Sequence, residues 1–425
     1  MEYFSLDSLS ILMMAALAIV LLPVLIHSII YFHDFKANAG QKAVYYAALF
    51  VLTAALALGY MSNQIAMTWV LTEVTTLAAG ILIYHHREEL ALEAVWKYVF
   101  VCAISVTFIF IGILFWSLAL YDCGTADLSY ANLMAHSKEM NPFWLRMGYI
   151  FIFCGYTAKM GLFPMFTAGI DAKDNAPGPA AAMLSSVLVN LGFVGIFRAY
   201  AVVAGSESAQ WGRILMLVTA MLTLFIATTY MVKIRNYKRM LAYSSIEHSA
   251  IVILGLCFGK MGCVFAMLHL LMHTFVKSGL FLHYNQLTKV YGTKMMDKMG
   301  GYLQLNPFGA IVLLLGLFSI TAIPPSGMFM SEIGIFSAMI ESGHWWLVVV
   351  MALFLTVLIW AICKSIIQLV FHPMSPEAVA QLKAPRLNPL RSVSQLALFA
   401  LAIYIGYACP DCITELINDV TTLIY

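Results

Sequence analysis

Six charged side chains interrupt runs of apolar sequence: Glu73, Lys159, Glu247, Lys277, Glu332 and Lys364. At the centre of a membrane helix each costs at least about 2.5–3.5 kcal/mol, so such residues face a protein interior, pair there, and relay protons or ions. Burial also moves carboxylates and ammonium groups toward neutral pH, where they exchange protons. Glu73 lies mid-run in TWVLTEVTTLAAG. Lys159 lies mid-span in GYTAKMGLFPMF, away from the helix ends where a lysine snorkels. His269, His273 and Lys277 recur at i, i+4, i+8 in MLHLLMHTFVKSGLFL, which stacks them on one helix face. Three titratable groups in a row read as a proton wire. Glu332, in PPSGMFMSEIGIF, is the carboxylate counterpart of Lys159 in the second half of the chain. These six, Glu73, Lys159, His269, His273, Lys277 and Glu332, are the primary proton-transfer candidates, each weighed against a purely structural hydrogen bond or ion pair.

Four residues are secondary candidates. Glu247 and His248 sit a third of the way into their span, beside a basic loop, and suit a proton entrance or a structural contact equally. Lys364 is one or two turns from the end of its span and can snorkel. Asn190 is uncharged and mid-span; it can hold water or bond a neighbouring helix. A metal is not expected. His269 and His273 have no carboxylate or cysteine alongside, and the lone pair Cys409 and Cys412 reads as a helix end. With no iron–sulfur spacing and no dinucleotide glycine motif, the chain is expected to hold no cofactor and no catalytic residue. Its chemistry is proton and charge transfer.

The elements that must position these groups follow from composition. Of 425 residues 62% are hydrophobic and 10% charged, against about 45–50% and about 25% in soluble domains. A water-facing surface cannot be built from so few charges. A net charge of +2 without a large basic cluster also excludes nucleic-acid binding. The expectation is an all-α polytopic membrane protein. Spans of about 20 apolar residues fall near 9–32, 43–60, 64–85, 97–121, 146–167, 177–200, 211–233, 240–258, 261–288, 307–340, 345–371 and 392–409, roughly a dozen. The first run lacks a basic region and cleavage site, so it reads as a span and not a signal peptide.

Two spans are broken. The fifth carries Gly161 and Pro164 and runs into a polar turn, Asp171 to Asn175. The tenth is interrupted at Pro324, Pro325 and Gly327. Broken helices free backbone groups that only protein or water can satisfy, and in transporters they mark the ion path at corresponding places in inverted repeats. An offset of five spans has the odd parity an inverted repeat needs. The expected organisation is a first helix and loop (1–42), a first five-helix repeat (43–204), an inverted second repeat (205–372), and a last loop and helix (373–425). Alternating loops place Lys36, Lys42, Arg87, Lys97, Lys173, Lys233, Arg235, Lys238, Arg239, Lys289, Lys294, Lys298, Lys383, Arg386 and Arg391 on one side. Only Lys138, Arg146, Arg198, Arg213 and Lys260 fall on the other. The positive-inside rule then puts both termini outside the cytoplasm.

Five segments in order, WVLTEVTTLAAG, AKMGLFPMFTAGIDAKDNAPGPAAAMLSSVLVNLGFVGIFR, MLAYSSIEHSAIVILG, LHLLMHTFVKSGLFL and PPSGMFMSEI, resemble the antiporter-like subunits of respiratory complex I, of Mrp cation/proton antiporters and of energy-converting hydrogenases. The resemblance covers nearly the whole chain, and its wording is nearest the F-type subunit of hydrogenase 4 and formate hydrogenlyase. It implies two inverted five-helix repeats and proton transfer through Glu73, Lys159, His269, His273, Lys277 and Glu332. It also implies coupling to a redox arm. Partner membrane subunits are then expected, with iron–sulfur clusters and a NiFe or flavin centre held in them, in a cell inner membrane. Protons are the expected ion, sodium the rival. Two departures stand out: the family's first two helices are not recognised, and Asn190 stands where many relatives carry a lysine, leaving the middle of the path to water.

The expected function is a proton-translocating subunit of a complex I-related redox enzyme, with Glu73 and Lys159 as a switchable ion pair. The rivals are a cation/proton antiporter subunit without a redox partner, Mrp-like or serving inorganic-carbon uptake, and a spacer that has lost transport.

Overall fold

The computed structural model describes residues 3–35, 37–374 and 387–425. Lys36, Lys383 and Arg386 of the basic set lie outside the described residues. The helices are α1 Ser8–Asp34, α2 Ala39–Met61, α3 Ile65–Ile83, α4 Glu89–Asp122, α5 Tyr130–Ala135, α6 Pro142–Met160, α7 Ala168–Asn175, α8 Gly178–Ser185 and α9 Val187–Ala204. The second half holds α10 Ala209–Met231, α11 Tyr237–Leu256, α12 Gly259–Tyr291, α13 Tyr302–Leu305, α14 Pro307–Ile320, α15 Gly327–Glu341, α16 Trp345–Phe371, α17 Val393–Tyr407 and α18 Asp411–Thr421. Among the described residues there is no β-strand, only isolated bridges. Helix runs through each expected span, two of them broken; among the described residues nine helices are long and apolar enough to cross a membrane, and the protein is an all-α, multi-pass membrane bundle.

Local chemistry starts these helices. Asp7, Asn38, Asn141, Asn236, Asn306 and Ser326 each accept a backbone N–H of the first turn with the side chain, as N-caps do. Pro142 and Pro307 add a first-turn proline, whose missing N–H is no loss there. The same alphabet makes the breaks. The fifth span ends at Gly161, with φ of 84°, a left-handed conformation natural to glycine. The chain crosses a cis Phe163–Pro164 bond and resumes as α7. The tenth span stops at Ile320, crosses a cis Pro324–Pro325 bond and resumes at the Ser326 cap.

Three expectations need correction. Asp171 to Asn175 is not a turn but part of helix α7. The sixth span is hinged at Ser186 (φ −116°, ψ −87°), between α8 and α9. Third, Lys173, Lys238 and Arg198, counted as loop cations, are all buried.

The core is built around α12, which packs against α1, α8, α11, α14, α15 and α17. Close approach also fixes α6 on α4: a Cβ at Gly148 would meet the Trp116 ring at 2.1 Å. Hydrogen bonds gather the loops into two opposite faces. On the basic face Asp34 pairs with Lys289 and Arg391, and Asp174 with Arg239 at 3.1 Å and Lys294 at 3.0 Å. On the other, the Tyr3 carbonyl accepts from the Asn63 N–H and the Met61 carbonyl from Ser5. Arg198 locks that second face. Its guanidinium donates to Asp7 (2.9 Å), Ser10 Oγ (3.1 Å) and the carbonyls of Tyr60 (3.0 Å) and Ser62 (2.6 Å), and it lies over the Tyr130 ring. Arg198→Ala strands the buried Ser62 carbonyl, at about 1–3 kcal/mol, while the Tyr60 carbonyl keeps the Ser10 hydroxyl. The variant should lose thermal stability in detergent while Arg213→Ala does not, by tryptophan-fluorescence melting.

Candidate proton-transfer axis

Lys159 sits in the last turn of α6, where the Gly161 break leaves the helix end open inside the bundle. Its ammonium is buried and donates to Thr76 Oγ1 at 2.8 Å and to the Tyr98 hydroxyl at 3.3 Å. Gly192 lets α9 close over this turn; a Cβ there would lie 2.7 Å from the Met160 nitrogen. Glu73, one turn before Thr76 on α3, makes no salt bridge with Lys159. Glu73 is half-buried, and its Oε2 is enclosed without a hydrogen-bond partner. The expected Glu73–Lys159 pair is therefore open here, because the two hydroxyls have taken its place around the ammonium.

A cavity of about 20 Å³ adjoins Lys159, bounded by Tyr98, Gly161, Lys173 and Ile246 among others; it has room for about one water. Beyond it Asn190 and Thr274 join α9 to α12 through the amide nitrogen (3.0 Å) and oxygen (3.1 Å). Of its two readings, the structure displays the helix–helix bond. Lys277, fully buried, donates to the Leu241 carbonyl of α11 at 2.8 Å. Glu247 is buried on the same helix as Leu241, with Oε2 unpartnered.

His248 turns out to be central. Its ring lies between those of His269 (centroids 5.1 Å apart) and His273 (5.4 Å). Its Nδ1 is 3.1 Å from His269 Nε2, and its Nε2 3.1 Å from the Ile320 carbonyl at the second break. His269 Nδ1 meets Ser331 Oγ at 2.9 Å. Glu332, buried beside Ser331, brings a carboxylate oxygen within 4.8 Å of both His248 and His269. His269, His273 and Lys277 thus lie along buried α12, and residues of the second break, Ile320, Ser331 and Glu332, cluster around its upper histidines.

Lys364 takes the snorkelling position. It is exposed, with its ammonium 5.1 Å from the Trp360 ring centroid, beside a cavity it shares with Lys233 and Asp297. The outward face of α16 carries it away from the axis, which is the snorkelling outcome. Cys409 and Cys412 are free thiols flanking the start of α18, the second exposed. Outside the spans, burial raises the Asp174 carboxyl, but Lys294 and Lys238 outweigh it and hold that group below the ordinary carboxylate range.

The family described as NADH:quinone oxidoreductase/Mrp antiporter, TM matches residues 62–359. The chain belongs to this family. It is 29% identical over 300 residues to the hydrogenase-4 component F homolog of Methylacidiphilum infernorum, covering 70% of this chain and 62% of that protein. It is 26% identical to NADH-quinone oxidoreductase subunit N of Moorella thermoacetica, over 88% of this chain and 78% of that one. Against hydrogenase-4 component B of Escherichia coli (25% identical) it covers 77% of this chain but only 49% of that protein. The chain thus spans about half to three-fifths of the hydrogenase relatives named here. A chain of the Mrp complex from Dietzia superposes with a TM-score of 0.86 at 18% identity, over 99% of this chain and 84% of that one. A chain of the archaeal membrane-bound sulfane sulfur reductase gives 0.82 at 23% identity, over 96% and 82%. These two show the shared fold.

In this antiporter-like subunit the hydrogen bonds around the histidine pair tie its proton count to the Ser331 hydroxyl. The Ile320 carbonyl can only accept, so His248 Nε2 carries a proton. A neutral His248 then accepts at Nδ1 from His269 Nε2–H. A neutral His269 must accept at Nδ1, and the Ser331 hydroxyl is the donor. That hydroxyl also lies 2.8 Å from the Met328 carbonyl, and its single proton cannot serve both. When it turns to Met328, His269 Nδ1 needs a proton of its own, and the pair holds one more. Ser331 rotation and proton occupancy are thus linked. His248, His269 and Glu332 have the ligand types of a metal site, and all four ring nitrogens already have hydrogen-bond partners. In ¹⁵N-histidine spectra of the protein, His248 should appear protonated at Nε2. An Nδ1–H neutral tautomer for His248 would contradict this network.

Legible signals existed for some missed residues. Thr76 is one turn from Glu73, and Ser331 adjoins Glu332. Tyr98 carried none, since an aromatic near a span end is ordinary.

Proposed function

We propose that this chain is a proton-translocating, antiporter-like membrane subunit of a complex I-related redox enzyme, of the energy-converting hydrogenase, formate hydrogenlyase or NADH:quinone oxidoreductase type. The observation that carries this reading is the row of buried titratable groups linking the two helix breaks, Lys159 at one end and His248, His269 and Glu332 at the other. The names of the hydrogenase and quinone-oxidoreductase relatives support the redox context. In this reading the organic and inorganic redox chemistry belongs to partner subunits holding iron–sulfur clusters and a NiFe or flavin centre, joined to this chain through other membrane subunits. The membrane is the cell's inner membrane, the basic face is cytoplasmic, and both termini face away from it. The two halves, 43–204 and 205–372, act as inverted repeats.

The proton path runs from Lys159, released when Glu73 moves away, through the water cavity to Lys277 and His273, then by His248 and His269 to Glu332. A proton suits this axis better than sodium. Sodium, like other hard cations, is held by clustered oxygen ligands, whereas lysine and histidine nitrogens dominate here and the three carboxylates stand on different helices.

Lys159→Met should lower turnover-driven proton uptake into inverted membrane vesicles by more than tenfold with the complex still assembled, read by acridine-dye quenching. Glu73→Gln should lower it by a smaller factor. Unchanged uptake in both variants would leave the chain a spacer.

A further inference from the structure

The axis as expected from sequence has a gap. Between Lys159 and Lys277 it offers Asn190, which does not titrate and whose amide is engaged by Thr274. The structure fills the gap from another element. Lys173 is on α7, the short helix after the first break, and is 5% exposed. Its neighbours on that helix face the basic loops: Asp171 pairs with Arg239 and Lys97, and Asp174 with Arg239 and Lys294. Lys173 turns the other way. Its side chain folds back along α7, with Nζ 3.7 Å from where a Cβ of Gly169 would stand, and it lines the same cavity as Lys159. α7 packs on α11, the helix whose Leu241 carbonyl holds Lys277, and the Lys173 charge is felt at His273 and Lys277.

Among the described residues Lys173 has no salt bridge and no hydrogen bond to protein. A helix-end role is already taken: the carbonyls of Asp174 and Ala176 are capped by Lys238, at 2.9 and 2.5 Å. An enclosed amine with no protein partner and with water-sized space beside it is placed to gain and lose a proton, not to brace the fold.

We infer that Lys173 is the bridging proton carrier of the axis, receiving a proton across the cavity from Lys159 and passing it toward Lys277 and His273. In each step one amine nitrogen loses a proton to the next through water, so charge moves and no covalent bond between heavy atoms changes. This inference rests on the proton-translocation reading, and its test keeps the two separable.

In inverted vesicles carrying the whole complex, Lys173→Met should reduce turnover-driven proton uptake at least tenfold while the amount of assembled complex on native gels is unchanged. Lys173→His, still titratable, should restore a third or more of the rate. Lys173→Arg, a charge that does not release its proton, should not. Uptake within twofold of wild type in Lys173→Met, with Lys159→Met inactive, would overturn the bridge and leave the proton path standing. Full rescue by Lys173→Arg would make Lys173 a structural charge and overturn it as well. Wild-type uptake in both Lys159→Met and Lys173→Met would overturn the translocation reading and the bridge together.

Discussion

The cost of holding an ammonium ion in a low-dielectric interior governs this structure. A buried charge is tolerable when paired, and removing one partner then strands the other at about 3–5 kcal/mol. The buried lysines here avoid that arrangement. Lys159 is held by two hydroxyls, Lys277 by a backbone carbonyl and Lys238 by two. Neutral dipoles of this kind stabilise the charged form but survive its loss, because a hydroxyl can reverse its donor role and a carbonyl is left only partly unsatisfied. A lysine solvated this way can give up its proton without leaving a carboxylate alone. Arg198, which never deprotonates, keeps a true carboxylate partner in Asp7 on the opposite face.

The helix breaks supply part of this polar surface: a broken helix presents carbonyls that an unbroken one keeps to itself, as the end of α7 does to Lys238. At the first break Gly161 ends α6 one turn past Lys159's neighbours and lets α7 fold back beside it. At the second, the Ile320 carbonyl is available to His248 and the Ser326 cap restarts a helix that carries Ser331 and Glu332. The long, nearly wholly buried α12 connects the two. Its histidines and lysine need no loop to position them, since helical period alone aligns them.

That division explains what the sequence could and could not reveal. Spans, breaks and the α12 stripe depend on local composition and on a fixed helical period, so they are legible in one dimension. The fold class and the primary site residues came from that source. Contacts between helices are not. Glu73 and Lys159 are opposite charges two spans apart, and pairing them is the simplest inference; the hydroxyls of Thr76 and Tyr98 reach Lys159 only in the folded bundle. Lys173 looked like a loop cation because its neighbours Asp171, Asp174 and Asn175 are polar. Its helix and its inward direction appear only in the fold. For Lys364 the sequence left the face of its helix open, since an apolar stretch does not say which face looks outward.

The asymmetry between the two ends of the axis bears on how protons move along it. The first half is built from amines, the second from imidazoles and a carboxylate. Two ammonium ions about 8 Å apart still repel by roughly 2 kcal/mol at an effective dielectric near 20. Lysines gathered around one small cavity therefore cannot all be charged at low cost. A proton arriving at one favours departure from the next. At the far end the imidazole pair and Glu332 differ: a proton added to His269 is met by the Ser331 hydroxyl turning away and by a nearby carboxylate. In the proposed path, repulsion among like charges sends the proton onward from the first half, and attraction to an acidic group receives it in the second. A movement of Glu73 toward or away from Lys159 then changes the charge at the start of a row whose members already sense one another, which is the physical requirement for coupling a distant event to proton release.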